Sequence, residues 1–148
     1  MACVELIPAR AGHAIEVARR SRAAVTTSAE RCGIDVRRAV RAAVAGSRRS
    51  LALRVDGRVV AIYGIVGALV SGETTIWLHA ARGVARHLVA ACQHELAELI
   101  ASENRLVAYI APDDDVALRF VRHWGFRADG ELPNGMRRVI LDTKEMRR

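Results

Sequence analysis

The residues of this sequence that could move protons lie between positions 73 and 123. Glu73 precedes the strand-forming run TTIWLH and His79 ends it, and either could act as a base toward an amine in a cleft. Tyr109 and His123 could act as acids in the same reaction. General acid–base chemistry on an amine is therefore the reaction that these residue types permit.

Each candidate also has a structural interpretation, which the sequence favours. Glu73 follows a Ser-Gly pair and suits a hairpin turn, while His79 and His123 suit surface or cap positions. Tyr109 suits a strand with its hydroxyl at the rim of the core. The sequence thus leaves Glu73, His79 and Tyr109 as candidates without assigning a catalytic role.

Three consecutive acids, Asp113 to Asp115, suggest a cation site at first sight. They follow Pro112 and precede an apolar run, and carboxylates at a helix N-terminus are stabilised by the helix dipole without any metal. The three cysteines have no CxxC spacing. We therefore predict a helix cap here, no metal site and no disulfide frame.

Two predicted strands and two predicted helices around these residues form one crossover unit. Residues 76–79 and 105–112 have the composition of strands, and residues 83–104 and 113–126 have helical periodicity. In the first helix the apolar stripe includes Leu96 and Leu99, with Glu95 predicted to point outward. In the second, the predicted apolar face includes Val116 and Val121, and Gly125 ends the helix.

The remaining chain predicts further strands and two more helices. A strand near residues 4–7 precedes a helix ending at the Arg19–Arg22 cluster and a second helix ending near Gly46. Asp56-Gly57, Ser71–Glu73 and Pro133–Gly135 are turn sequences that predict hairpins. The predicted order is β-α-α-β-β-β-α-β-α-β-β, in a single domain of 148 residues.

The charge is basic and unevenly distributed. The chain has a net charge of +7, and residues 1–50 hold ten arginines and four acids. Such a surface suits an acidic protein or nucleic acid, although no aromatic residues interleave with the arginines, so they also suit solvated helix faces. The longest apolar run, 59–70, is too short for a membrane span, so we expect no membrane contact and an intracellular protein.

The order of elements, the Asp-Gly hairpin and the helix ending in Gly-Phe resemble the GNAT (GCN5-related N-acetyltransferase) fold. The resemblance implies a three-layer α/β/α protein of the α+β class, with a mixed, mostly antiparallel sheet of about six to seven strands and about four helices. The segments SAERCGIDVRRAV, DGRVVAIYGIVG and ALRFVRHWGF are also similar to acetyltransferase-like proteins of tailed bacteriophages. That similarity implies a virion protein.

The family binds acetyl-CoA pyrophosphate on a loop of the form Q/R-x-x-G-x-G/A that opens a helix. The matching hexad is residues 80–85, in which Gly83 and Ala85 fit the pattern and Ala80 does not. If acetyl-CoA binds, the resemblance places its phosphates at Arg82, Gly83, Val84, Ala85 and Arg86. Its pantetheine arm would need an open gap between the strands at 76–79 and 105–110.

Two of the family's functional positions are changed. The Tyr that serves many members as general acid corresponds to Val121, and the Asn that often opens that helix corresponds to Asp114. Because valine cannot donate a proton, the sequence favours a virion structural or assembly component without acetyl transfer and without a cofactor. Such a protein would lie in the virion, and in the host cytoplasm during assembly, in contact with other virion proteins in a symmetric multi-copy arrangement. The alternative is an active acetyl-CoA-dependent N-acyltransferase that modifies a protein or small-molecule amine.

Overall fold

The computed structural model describes residues 3–20, 30–67, 72–81 and 85–146, leaving aside the side chains of 85–88 and 92. Its strands are β1 Val4–Pro8, β2 Arg49–Val55, β3 Arg58–Val66, β4 Thr74–Ala80, β5 Arg105–Ile110, β6 Arg127–Glu131 and β7 Arg137–Asp142. Its helices include α1 Ala11–Arg19, α2 Val36–Gly46, α3 Ala85–Ser102, α4 Asp115–His123 and α5 Thr143–Met146. The predicted order is confirmed, with α5 added at its end.

The seven strands form one sheet in the order β1-β2-β3-β4-β5-β7-β6. Neighbouring strands are antiparallel except β4 and β5, which are parallel and connected through α3. A parallel pair needs such a crossover because a short turn cannot return the chain to the same end of the sheet. The mixed, mostly antiparallel sheet that was predicted is therefore present.

The β2–β3 hairpin shows how local sequence sets the sheet. Asp56 and Gly57 both have positive φ, at 50° and 79°, and Val55 pairs with Arg58 across the turn. Two positive φ angles define a type I′ turn, whose twist matches that of the strands. The Asp-Gly signal thus predicted this turn correctly.

Helices cover both faces of the sheet. On one face, Ala14 and Val17 of α1 and Val40 of α2 pack against Ala52 of β2 and Ile62 of β3. Ala14 and Val17 share a side of α1 because residues three apart lie together on a helix. We call this the α1–α2 face.

The opposite face carries α3 and α4. Leu96 of α3 and Leu118 of α4 lie in one buried cluster with Leu106 and Ala108 of β5 and Leu141 of β7. This arrangement gives the three layers that the sequence predicted. We call it the α3–α4 face.

The predicted apolar face of α4 is wrong at one position. Val116 is 49% exposed, whereas Leu118, which was not predicted to face the core, is buried. The buried side of α4 is formed by Ala117, Leu118 and Val121, which share one side of the helix, and Val116 falls beside it.

No helix in the described ranges is long and apolar enough to cross a membrane.

Candidate functional site

The sheet opens between β4 and β5. The two strands pair only at Thr74 with Leu106 and at Thr75 with Val107. Within the described residues, 76–80 of β4 and 108–110 of β5 then continue without pairing to each other. The backbone N–H and C=O groups along these two edges are of the kind with which an extended ligand can pair.

A cavity of about 340 Å³ occupies this opening and continues under α3. Its volume lies in the range of about 300–1,000 Å³ that is usual for small-molecule sites. The part between the diverging strands, which we call the gap region, is lined mainly by apolar residues: Leu78, Ala80, Ala108, Ile110, Ala117 and Phe120. The open gap that the GNAT resemblance required is therefore present.

Trp77 borders the cavity without closing it. Its indole Nε1 donates a hydrogen bond to Ser47 Oγ at 2.7 Å, and its ring lies over Gly64 of the adjoining strand. A Cβ at Gly64 would come within 2.9 Å of that ring, so glycine is needed there for the indole to fit. Trp77 is therefore a core anchor toward α2.

Two of the three candidate catalytic residues line the cavity. His79 on β4 and Tyr109 on β5 both border it. His79 pairs with Ile62, which belongs to the α1–α2 cluster, and Tyr109 lies two positions after Val107, the partner of Thr75. Because side chains alternate along a strand, His79 and Tyr109 lie on the α1–α2 face of the gap.

Glu73 lies outside the cavity lining and is held in an ion pair. Arg138 Nη2 lies 2.6 Å from Glu73 Oε1, and Arg105 Nη1 lies 3.7 Å from the same oxygen. Arg138 also donates to Asp129 at 2.9 Å and to the Tyr109 hydroxyl at 3.4 Å. Hydrogen bonds to Glu73 first and Asp129 second raise the pKa of Arg138, so the guanidinium is a permanent cation. The Glu73 carboxylate is therefore committed to a structural contact.

The acidic run at 113–115 caps α4, as predicted. Asp114 accepts a hydrogen bond from the Ala117 N–H at 3.2 Å, and Asp113 forms an ion pair with Arg31 at 2.5 Å. No group of three possible metal ligands occurs in the described part of the chain.

His123, the other acid considered, lies outside the cavity lining and packs edge-on against Trp124 at 5.2 Å between ring centroids.

Val121 and Trp124 both border the cavity from α4. The position that the GNAT resemblance assigns to the general acid thus borders the cavity. Trp124 Nε1 is buried without a hydrogen-bond partner among the described residues. A buried donor of this kind is a group that a ligand acceptor would satisfy.

Glu95 is the residue of this site that the sequence interpretation misplaced. It was predicted to point outward, but it is only 8% exposed and lines the cavity with Arg49, whose Nη2 lies 3.3 Å from Glu95 Oε1. Glu95 stands four residues after Ala91 and four before Leu99, both of which are partly buried. That spacing was the available signal for an inward position.

The predicted phosphate-binding residues are not tested. Arg82, Gly83 and Val84 lie outside the described residues, as do the side chains of Ala85 and Arg86, whose backbone begins α3. Their assignment to acetyl-CoA stays a prediction.

Solved structures identify the fold. The chain superposes on Ard1 from Thermoplasma volcanium with a TM-score of 0.71 at 15% identity, covering 94% of this chain and 97% of that one. For the ribosomal-protein-S18-alanine N-acetyltransferase from Escherichia coli the TM-score is 0.69 at 13% identity, with coverage of 95% and 94%. An acetyltransferase from Thermus thermophilus gives 0.68 at 17% identity, with coverage of 94% and 96%.

The chain therefore has the GNAT fold, as predicted. No protein-family model matches the sequence, and no curated protein matches it. At 13–17% identity these neighbours establish the fold alone. They give no support to a phage affiliation, so the virion location and virion partners stay predictions.

Proposed function

We propose that this chain binds a coenzyme A thioester in the β4–β5 cleft and transfers its acyl group to an amine. One observation carries the proposal. Strands β4 and β5 stop pairing after Thr75 and Val107, and a largely apolar cavity lies in the opening. The pantetheine arm is a narrow chain with two amides. It would lie between the strands like an added strand and pair with their facing backbone groups.

The chemistry follows from the polar groups at the gap. The amine attacks the thioester carbonyl, a C–N bond forms, the C–S bond breaks, and coenzyme A leaves as a thiolate. We assign to His79 the acceptance of the proton that the amine releases, because it is an imidazole on the lining of the cleft. Tyr109, on the same face, would hydrogen-bond the incoming amine.

With valine at position 121, we expect acyl transfer to be slow but still possible. A thiol has a pKa of about 8.5, so a thiolate is a fair leaving group without protonation at neutral pH. Loss of a general acid costs a factor of about 10²–10⁴ in rate. We therefore expect weak turnover, with ligand binding unaffected by the missing tyrosine.

A second candidate is a protein that keeps the fold without transferring an acyl group. Val121 is the observation that favours it, since the side chain at this cavity position cannot donate a proton. The predicted role in a virion is one form of this candidate. It requires no catalysis, and it tolerates either binding or no binding of coenzyme A.

Calorimetry with acetyl-CoA tests the proposal. We expect saturable binding with a micromolar Kd. Ala117→Leu, which puts a larger side chain into the gap region, should weaken it at least tenfold. Ala97→Leu is the matched control, because Ala97 is an exposed residue of α3 outside the cavity lining and should bind as the unchanged chain does.

Release of free thiol from acetyl-CoA in the presence of amines then separates the two candidates. Thiol release above the uncatalysed rate, lost in Ala117→Leu, supports the transferase. Binding without thiol release supports the second candidate. Absence of saturable heat with acetyl-CoA or coenzyme A would overturn the proposal itself.

A further inference from the structure

The cavity extends beyond the gap region into a second apolar space. This space, which we call the distal lobe, lies between the sheet and the C-terminal half of α3. It is lined by Leu51 of β2, Tyr63 and Ile65 of β3, Ile76 of β4, and Leu96 and Leu99 of α3. Leu51 pairs with Tyr63 and Ile65 pairs with Ile76, so these strand residues form two adjacent rows on the α3–α4 face.

The lining of the distal lobe is apolar but incompletely packed. Leu51, Ile65, Ile76 and Leu99 are only partly buried although they lie between the sheet and a helix. Protein interiors are normally close-packed, and unfilled apolar space is destabilising. Accessible apolar surface of this kind is stabilised when an apolar ligand covers it. The distal lobe therefore suits an aliphatic group.

The distal lobe is bordered by charged side chains that neutralise each other. Arg49 Nη2 lies 3.3 Å from Glu95 Oε1, and Arg49 Nη1 lies 3.7 Å from Glu98 Oε2. With two carboxylates beside it, Arg49 has no charge left over for an acidic ligand. A terminal carboxylate entering the lobe would meet the buried Glu95 and be repelled. The occupant should accordingly be uncharged.

We propose that the acyl group carried by this chain is a neutral aliphatic chain of medium length, seated in the distal lobe. The inference rests on the proposed function, because the thioester must first lie in the gap region. The lobe spans two strand spacings from β4 to β2, about 10 Å, which is the length of a saturated chain of roughly six to eight carbons.

A series of thioesters tests the inference. Acetyl-, butanoyl-, hexanoyl-, octanoyl- and decanoyl-CoA are titrated into the full chain by calorimetry. We expect the affinity to rise about fourfold per added methylene, the factor for burying one CH₂ group, up to about eight carbons, and then to level off or fall. Succinyl-CoA should bind more weakly than butanoyl-CoA.

Two substitutions test whether the dependence of affinity on acyl chain length arises in the distal lobe. Ile65→Trp fills the lobe and should abolish the gain with chain length while acetyl-CoA still binds. Ile65→Ala enlarges it and should move the optimum to a longer chain, which keeps the test decisive if the tryptophan variant does not fold. Val66→Ala, at the next residue of β3 and outside the cavity lining, is the control and should leave the series unchanged.

The outcomes separate this inference from the proposed function. Equal affinity for all chain lengths, or tighter binding of succinyl-CoA than of butanoyl-CoA, overturns the distal-lobe assignment and leaves the cleft intact. Absence of binding by any thioester overturns the proposed function, and the acyl-chain assignment with it.

Discussion

The two edges of strand β4 differ in how they are joined to their neighbours. Toward β3, six residue pairs run without interruption from Thr75 with Val66 to Ala80 with Ala61. Toward β5, only two pairs form before the strands diverge. The same strand is therefore sealed on one side and open on the other.

The sealed edge is fixed by a close backbone approach. Trp77 covers Gly64, and Arg49 of β2 approaches Gly64 from the strand beyond, with its carbonyl oxygen 2.7 Å from the position of a Cβ. The indole is then held by Ser47 at the end of α2. These contacts make β4 part of a rigid unit with β2 and β3.

The open edge is bridged by side chains. At the closed end of the gap, Thr74 Oγ1 donates to Glu103 at 2.8 Å, and Arg48 forms an ion pair with the same carboxylate. On the α1–α2 face, Arg138 joins Glu73 to Asp129. The opening therefore belongs to the β4–β5 edge alone among the edges of β4. A strand held firmly on its other edge can leave its backbone groups to a ligand.

The largest effect is expected at the sealed edge. Gly64→Ala places a Cβ against the Arg49 carbonyl and the Trp77 ring, and overpacking of this kind should lower the free energy of unfolding by roughly 2–3 kcal/mol. Urea denaturation measures the loss. Gly67→Ala is the control, because a Cβ there meets no described atom within 4 Å and should cost far less. An equal cost at both glycines would contradict the sealed edge as described.

A smaller effect is expected at the closed end of the gap. Glu103→Ala removes the acceptor for Thr74 and the partner of Arg48, and should cost about 1 kcal/mol in the free energy of unfolding. Amide exchange at Leu106 and Val107 should become faster, because their pairing with β4 loses its side-chain support. Glu98→Ala removes a half-exposed carboxylate from α3, five residues earlier, and should leave that exchange unchanged. Unchanged exchange in Glu103→Ala would show that the two backbone pairs hold the seam alone.

The sealed edge was largely predictable from the sequence and the open edge was not. The Asp56-Gly57 and Ser71–Glu73 turn sequences are local signals, and they predicted the antiparallel β2–β3 and β3–β4 pairs. The point at which β4 and β5 diverge depends on contacts such as Thr74 with Glu103, which are 29 residues apart. No periodicity records such a contact, and only the resemblance to the GNAT fold indicated a gap.

The residues of the candidate site also differ in how far their roles could be predicted from the sequence. His79 was placed by its position at the end of a strand, and it does reach the cavity. Glu73 had the residue type of a base, but Arg138, 65 residues further on, commits its carboxylate to an ion pair. Glu95 was misplaced because a charged residue was assumed to point outward, whereas Arg49 of a distant strand accompanies it inward. Partners remote in sequence decided the roles of both glutamates.

The smallest effect concerns the ion pairs of the α1–α2 face and depends on pH. The hydrogen bond from Arg138 holds the pKa of Asp129 below its ordinary value of 3.8. Because the pKa is lowered in the folded chain, the stabilisation is complete above about pH 4 and is lost as the pH falls through the folded-state value. Asp129→Asn should therefore be less stable than the unchanged chain at neutral pH, and the difference should disappear in acid.

Thermal unfolding between pH 2 and pH 7 measures that difference, with Glu131→Gln as the control on the same strand. Asp129 is well exposed, so the contribution is small and should shrink further in high salt. If the difference instead persisted at pH 2, Asp129 would act through hydrogen bonds that an amide at this position does not reproduce, and not through its charge. In that case Glu73 alone would hold Arg138 across the open edge, and Glu73→Gln should then be the more destabilising of the two substitutions at neutral pH.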